Sequence, residues 1–160
     1  MKRIPLTRGK VALVDDRDYK RVSQFRWRAR RDRNANETWY AETGSTKGGD
    51  FIFMHNFILG NDPKIETDHK NGDGLDNQRH NIRPATRSQN CMNRKGWSKH
   101  GYKGVYKVTN WHKYGARIQV DGRMLQLGCF DTAEAAAVAY DEAAARYHRD
   151  FAKFNFPRAA

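Results

Sequence analysis

Apolar residues recur with readable spacing over most of this chain, and one long run has almost none. "KVALVDD" (residues 10–16) is an apolar stretch closed by acids, which predicts a short strand. "DYKRVSQFRW" (18–27) places Val22 and Phe25, then Trp27, along one helical face. "TWYAETG" (38–44) predicts a strand, Gly48-Gly49-Asp50 a turn, and "FIFMHNFILG" (51–60) a strand leading into a short helix. Then residues 67–94, "TDHKNGDGLDNQRHNIRPATRSQNCMNR", pass with Leu75, Ile82 and Met92 nearly alone as large apolar side chains. Such a run builds no core, so its mid-chain position calls for a chemical reason.

Beyond "NRKGWSKHG" (93–101), whose Lys, Ser and Gly read as a short linker, the pattern sharpens. "KGVYKV", "YGARIQV" and "RMLQLGCF" are three strand-like runs, the last two separated by Asp121-Gly122, a two-residue hairpin turn. That turn sets Val120 opposite Arg123, Ile118 opposite Leu125, Arg117 opposite Gln126 and Ala116 opposite Leu127. Alternation then puts Ala116, Ile118, Leu125 and Leu127 on one face and Arg117, Gln119 and Gln126 on the other. "DTAEAAAVAYDEAAARYHRD" (131–150) carries Ala136, Ala139, Tyr140, Ala143, Ala144 and Tyr147 at helical spacing, with Asp131 or Thr132 as cap. A stripe of methyl groups lets a helix lie close on the apolar face, leaving the polar face open to a partner.

Charge gives that face a partner class. The 160 residues hold 30 Lys+Arg against 18 Asp+Glu, a net +12, and 38% are hydrophobic. The excess is spread over the chain, which suits a protein lying along a polyanion. No run approaches the ~18 apolar residues of a membrane span, and "MKRIPLTRGK" has no signal-peptide core. Membrane association is therefore not expected. Cys91 and Cys129 form no metal or disulfide motif and are expected as buried thiols in a reducing, cytoplasmic setting.

"GYKGVYKV", "YGARIQV", "LGCFDTAEAAAVAYDEAA" and "AKFNFP" together resemble the plant Apetala/ethylene-response-factor DNA-binding domain over residues 101–157. The resemblance implies a three-stranded sheet lying in the major groove of double-stranded DNA, with Tyr106, Tyr114, Arg117, Gln119, Arg123 and Gln126 at the contact. Where that family carries arginine and tryptophan in its first and third strands, this chain has Tyr106 and Gln126, so no target sequence carries over. Arg can bridge a guanine edge and Gln an adenine edge. The alternative is an ordinary solvated sheet face.

The polar run holds hard oxygen donors (Asp68, Asn81, Asn90), an imidazole beside one of them (His69), and nearby arginines. Carboxylate and amide oxygens suit Mg²⁺ or Mn²⁺, and an imidazole can take a proton from water near neutral pH. "MHNFILG" followed by "DHKNGDGLDNQRHNIRPATRSQN" resembles the zinc-free phage and homing-endonuclease branch of the HNH nucleases, which have the ββα-metal fold. The resemblance implies His69 as general base, Asp68 and Asn90 as ligands of one divalent metal, Asn81 as the residue that braces the loop and orients His69, and Arg83 and Arg87 on phosphate. It further implies phage origin and action in a bacterial cytoplasm. That family often has arginine where this chain has Asn56. His55 fits packing better than chemistry, and the Asn71, Asp73 and Asp76 turn lacks the spacing of a calcium loop.

The expectation is thus an α+β chain of two modules. An HNH nuclease domain occupies residues 1–97, its ββα-metal motif at about 65–95 supported by N-terminal strands. An Apetala-like domain, a three-stranded antiparallel sheet on one helix, occupies 98–160. The expected activity is metal-dependent DNA nicking or homing cleavage by a monomer without an obligate protein partner. A sequence-specific DNA-binding regulator with a silent nuclease-like scaffold is the alternative. RNA binding, with Tyr106, Trp111 and Tyr114 stacking bases, is a third reading, although the sequence has no RNA-module motif.

Overall fold

The computed structural model describes residues 1–32, 38–44, 51–62, 64–94, 96, 100–109 and 112–157. The chain is α+β and divides into two compact units, Met1–Asn90 and Cys91–Ala160.

The first unit begins with an antiparallel pair, β1 (Lys2–Pro5) and β2 (Val11–Val14), followed by helix α1 (Asp16–Val22). A second sheet, ordered β3-β4-β5, contains β3 (Arg28–Arg31), β4 (Trp39–Thr43) and β5 (Ile52–Phe53). Helix α2 (Met54–Leu59) follows β5 directly and ends at Gly60, whose φ of 69° is the left-handed conformation that stops a helix cheaply only at glycine. The antiparallel pair β6 (Glu66–His69) and β7 (Ile82–Ala85) then leads into α3 (Arg87–Asn93). Ala12, Val14, Val22, Trp27, Met54, Ile58 and Ile82 form the core. Phe25, Trp27 and Phe57 pack edge-to-face around it, at 5.1 to 6.1 Å between ring centroids. The indole Nε1 of Trp27 donates to the Val22 carbonyl at 2.8 Å, which satisfies the one polar atom that its burial would strand.

The arginine-rich segment Arg28–Arg31 is β3. Arg28 and Arg30 reach across to Glu42 on β4, 2.8 and 3.1 Å away, and Glu42 is only 3% exposed. These two arginines hold the sheet together, so they are committed before any phosphate arrives.

In the second unit β8 (Val105–Lys107), β9 (Tyr114–Val120) and β10 (Arg123–Phe130) form an antiparallel sheet ordered β10-β9-β8, packed on helix α4 (Ala133–Tyr147). The Asp121-Gly122 turn gives the expected pairs Arg123–Val120, Leu125–Ile118 and Gln126–Arg117. The fourth pair differs, because a bulge between Gln126 and Gly128 sets Gly128, not Leu127, opposite Ala116. Gly128 has φ 129°, which glycine adopts without the steric cost other residues meet. Thr132 caps α4, its hydroxyl accepting from the Ala135 amide at 3.1 Å. Ala136, Ala137, Tyr140, Ala143 and Ala144 are buried against the sheet. Ala137 joins the stripe where the spacing offered Tyr147, which is 40% exposed.

Two glycine and tail contacts show how closely this unit is built. A Cβ on Gly104 (φ 77°) would lie 2.0 Å from the Tyr140 ring and 2.7 Å from the Arg117 carbonyl oxygen. The Asn155 side chain exchanges hydrogen bonds with the Lys103 backbone, and its amide donates to Asp141 of α4. That explains the "NFP" ending as a clasp between Lys103, just before β8, and the helix. Among the corrections, Cys91 and Cys129 are both free and exposed, so the expectation of buried thiols fails. Cys129 stands on a strand face, and the apolar character of its residue type said nothing about which side.

Candidate nucleic-acid interface and candidate active site

On the sheet of the second unit, α4 covers one face and the other carries polar side chains. Arg117 and Gln119 on β9 are exposed, and their partners on β10, Gln126 and Met124, share their face. From β8, Tyr106 pairs with Gly115 and joins them. The Tyr106 hydroxyl donates to Gln126 Oε1 at 2.9 Å, and the Arg117 guanidinium lies 5.1 Å from the Tyr106 ring centroid. Four of the six residues expected at the contact are therefore together: Tyr106, Arg117, Gln119 and Gln126.

The other two are elsewhere. Tyr114 packs against the cluster of Val105, Ala116, Ala136 and Ala137 on the helix side, because it sits two residues before Ala116 in the same strand. Arg123 pairs with Val120 at the hairpin tip, which puts it across the pleat from Arg117. Both were placed at the contact by resemblance, whereas strand alternation sets them off the face that carries Arg117. Met124, 49% exposed on the outer face, is a member the sequence reading missed. Its pairing with Gln119 follows from the Asp-Gly turn and could have been read. Trp111 lies outside the described residues.

In the first unit the polar run forms a loop between β6 and β7 that is tied to itself. Asn71 Nδ2 donates to Asp76 Oδ2 at 2.8 Å, the Leu75 amide to Asp73 Oδ1 at 2.9 Å, and the Gln78 amide to Asp76 Oδ1 at 3.3 Å. Asn81, 3% exposed, works with both ends of its amide: Oδ1 accepts from the Asn71 amide at 3.0 Å, and Nδ2 donates to the Asp76 carbonyl at 2.8 Å. Backbone bonds between Leu13 and both Leu75 and Asn77 dock the loop on β2. Arg79 extends the clamp, with Nε 2.7 Å from Asp18 Oδ2 and Nη2 2.8 Å from the Ile58 carbonyl.

His69 ends β6 and is 6% exposed. Its Nε2 is 3.5 Å from Asn77 Oδ1, and its ring meets those of His55 and Tyr40 at 5.1 and 5.9 Å. Asn77, not Asn81, is therefore the amide at the His69 ring nitrogen, and Asn81 holds the loop that carries Asn77. Burial pulls the His69 pKa below the ordinary histidine value, against the Asn77 hydrogen bond and the nearby carboxylates, which raise it. His55 stacks on Phe53 at 5.2 Å, and burial pushes it down to about 3. It packs, as its sequence context suggested.

On the adjacent face of β6, Asp68 is 2% exposed and Arg83 Nε and Nη2 meet its Oδ2 at 2.8 and 2.7 Å. Glu66, two residues earlier, accepts from Asn90 Nδ2 of α3 at 3.0 Å, so Asp68 and Asn90 border the same side of the strand. A carboxylate oxygen and an amide oxygen are hard donors of the kind Mg²⁺ or Mn²⁺ takes when substrate phosphate completes the shell. The donor types fit such an ion. Among the described residues no group of three or more His, Cys, Asp or Glu could hold a metal on protein ligands alone. Arg83 is engaged by Asp68 rather than presented to solvent, whereas Arg87, at the start of α3, is exposed.

No family model matches the chain. Its C-terminal part is similar to dehydration-responsive element-binding proteins of Arabidopsis thaliana. It is 42% identical to protein 2A over 73 residues, which is 42% of this chain and 22% of that one. It is 38% identical to putative protein 2H over 79 residues, or 46% and 50%, and 40% identical to protein 2D over 78 residues, or 46% and 37%. The aligned part thus spans half or less of each relative. These similarities support the Apetala/ethylene-response-factor-like reading of the sheet and helix. Among the described residues no helix is long and apolar enough to cross a membrane.

Proposed function

We propose that this chain is a sequence-specific duplex-DNA-binding protein whose reading surface is the outer face of β8–β10. The observation that carries the reading is the linked set Tyr106, Arg117 and Gln126 on the face opposite α4. B-DNA's major groove, about 12 Å wide, admits such a ribbon, and the +12 charge favours a polyanion. The relatives are named for binding a dehydration-responsive element, which supports the same mode here. An electrophoretic shift series in EDTA tests it: specific complexes should outlast excess unrelated duplex, and Arg117→Ala should weaken them. Indifference to competitor would overturn the sequence-specific reading.

A second reading adds cleavage, and the observation favouring it is that His69 ends β6 next in sequence to Asp68, with Asp68 and Asn90 bordering the other side of the same strand. A buried, uncharged imidazole can accept a proton from water at neutral pH. Asn77 would orient that ring, Asn81 would keep the loop in place, and Arg87 would meet phosphate. Asp68 and Asn90 would hold Mg²⁺ or Mn²⁺, which when bound supplies charge stabilisation for phosphodiester hydrolysis. A monomer with one such site would nick one strand at a time. Set against this, the Asp68–Arg83 ion pair favours the silent-scaffold regulator, since a guanidinium already neutralises the carboxylate. Supercoiled DNA carrying a library of candidate targets separates the two. Nicking that needs metal and is lost in His69→Ala supports cleavage, whereas binding by both proteins with no change in topology supports the regulator.

A further inference from the structure

The Tyr106 hydroxyl does more than fill space on the reading face. Its ring crosses from the edge strand β8 over the central strand to reach β10, and it can do so because residue 115 is glycine. A Cβ there would lie 2.3 Å from Tyr106 Cζ and 2.5 Å from its hydroxyl oxygen. The hydroxyl then donates to Gln126 Oε1 at 2.9 Å, and the Arg117 guanidinium lies over the same ring. A glutamine that reads adenine uses both ends of its amide: Oε1 accepts from the adenine N6 amine while Nε2 donates to N7. With one Oε1 lone pair already taken by Tyr106, the end of the Gln126 amide that keeps its full hydrogen-bonding capacity is the donor Nε2. Guanine, whose N7 and O6 are both acceptors, matches that end.

We propose that Tyr106 is a specificity-determining residue which, by holding the Gln126 amide through its hydroxyl, makes Gln126 a reader of guanine rather than adenine. This rests on the duplex-DNA reading of the sheet. Arg117, steadied on the Tyr106 ring and also a pure donor, supplies a second guanine-directed side chain, so the face is selective for purine acceptors. The preference comes from this chain's own pair of residues, at the two positions where the resemblance carried no target.

The test is selection of binding sites from randomised duplexes by the full chain in EDTA, run in parallel with Gln126→Ala and Tyr106→Phe. Thermal melting confirms that each variant folds. Tyr106→Phe keeps the ring under Arg117 and removes only the hydroxyl. The position at which Gln126→Ala loses preference identifies the base that Gln126 reads. The parent is expected to select guanine there over adenine on the order of tenfold. Tyr106→Phe should reduce or reverse that ratio while leaving other positions unchanged. Adenine selected by the parent, guanine retained by Tyr106→Phe, or a site unaltered in Gln126→Ala would each overturn the assignment. Failure of the parent to enrich any sequence would instead overturn the DNA-binding reading beneath it.

Discussion

The loop between β6 and β7 and the outer face of β8–β10 are both rich in polar side chains, yet they use them in opposite ways. In the loop, Asn71, Asp73, Asp76 and Asn81 bond to backbone groups and to each other, and Asp76, Asn77 and Asn81 are buried. On the sheet, Arg117 and Gln119 stand in solvent, and the side chains of Arg117 and Gln126 share one partner, Tyr106. Removing a loop residue leaves a buried partner unsatisfied, which costs stability. Removing a face residue exposes nothing and should cost only binding. Polarity alone therefore does not mark a functional surface; what each polar atom already holds decides it.

The sharpest way to break the comparison is to damage the frame under the face. Gly104→Ala puts a Cβ into Tyr140 and the Arg117 carbonyl at positive φ. It should destabilise the second unit by about 3 kcal/mol or more, read by chemical denaturation, and DNA binding should fall with it.

Acid should separate the two regions next. His55 is held at about 3 by burial, below its ordinary 6.5, so the unfolded chain binds the extra proton first. The resulting stability is complete above about 6.5 and is lost as pH falls from there toward 3, at about 1.4 kcal/mol per unit. Amide exchange in β4 and α2 should accelerate over that window, and His55→Phe should flatten the dependence.

A smaller effect is expected from Asn81→Ala, which strands the buried Asp76 carbonyl and the Asn71 amide. Loss of about 2 to 4 kcal/mol from the first unit is expected, visible in exchange of β6 and β7, with β9 and β10 unaffected. Mildest for the fold is Arg117→Ala. It should weaken specific duplex binding by ~1–3 kcal/mol and shift the melting temperature by little, which a melting curve beside a binding titration checks.

Much of the second unit was legible because a two-residue turn fixes its register. Asp121-Gly122 determines four cross-strand pairs, and from those the face of Arg117, Gln119 and Gln126 follows. The bulge before Gly128 was not legible, since an isolated glycine in a strand reads equally as a bulge or as ordinary pairing. Tyr114 was assigned to the face by position in a resembling family, whereas alternation puts it on the helix side. In the first unit, β2, α1, β4 and the step from β5 into α2 followed from apolar spacing, whereas β1, β3 and the bonding within residues 67–94 did not. The Asp68–Arg83 pair requires the register of two strands joined by a 12-residue loop, and the Arg79–Asp18 pair requires packing between distant segments. Neither leaves a periodic trace. For the same reason Asn77 escaped notice beside His69, although it is the more buried of the two asparagines in question.

The account depends most on which surface meets DNA. Titrating unlabelled duplex into the isotopically labelled full chain in EDTA, with amide and side-chain resonances followed by NMR, addresses that directly. The account predicts that the largest shifts fall on Tyr106, Arg117, Gln119 and Gln126, including the Gln126 side-chain amide. Shifts confined to α4 or to the first unit, with those four residues unmoved at saturation, would contradict it.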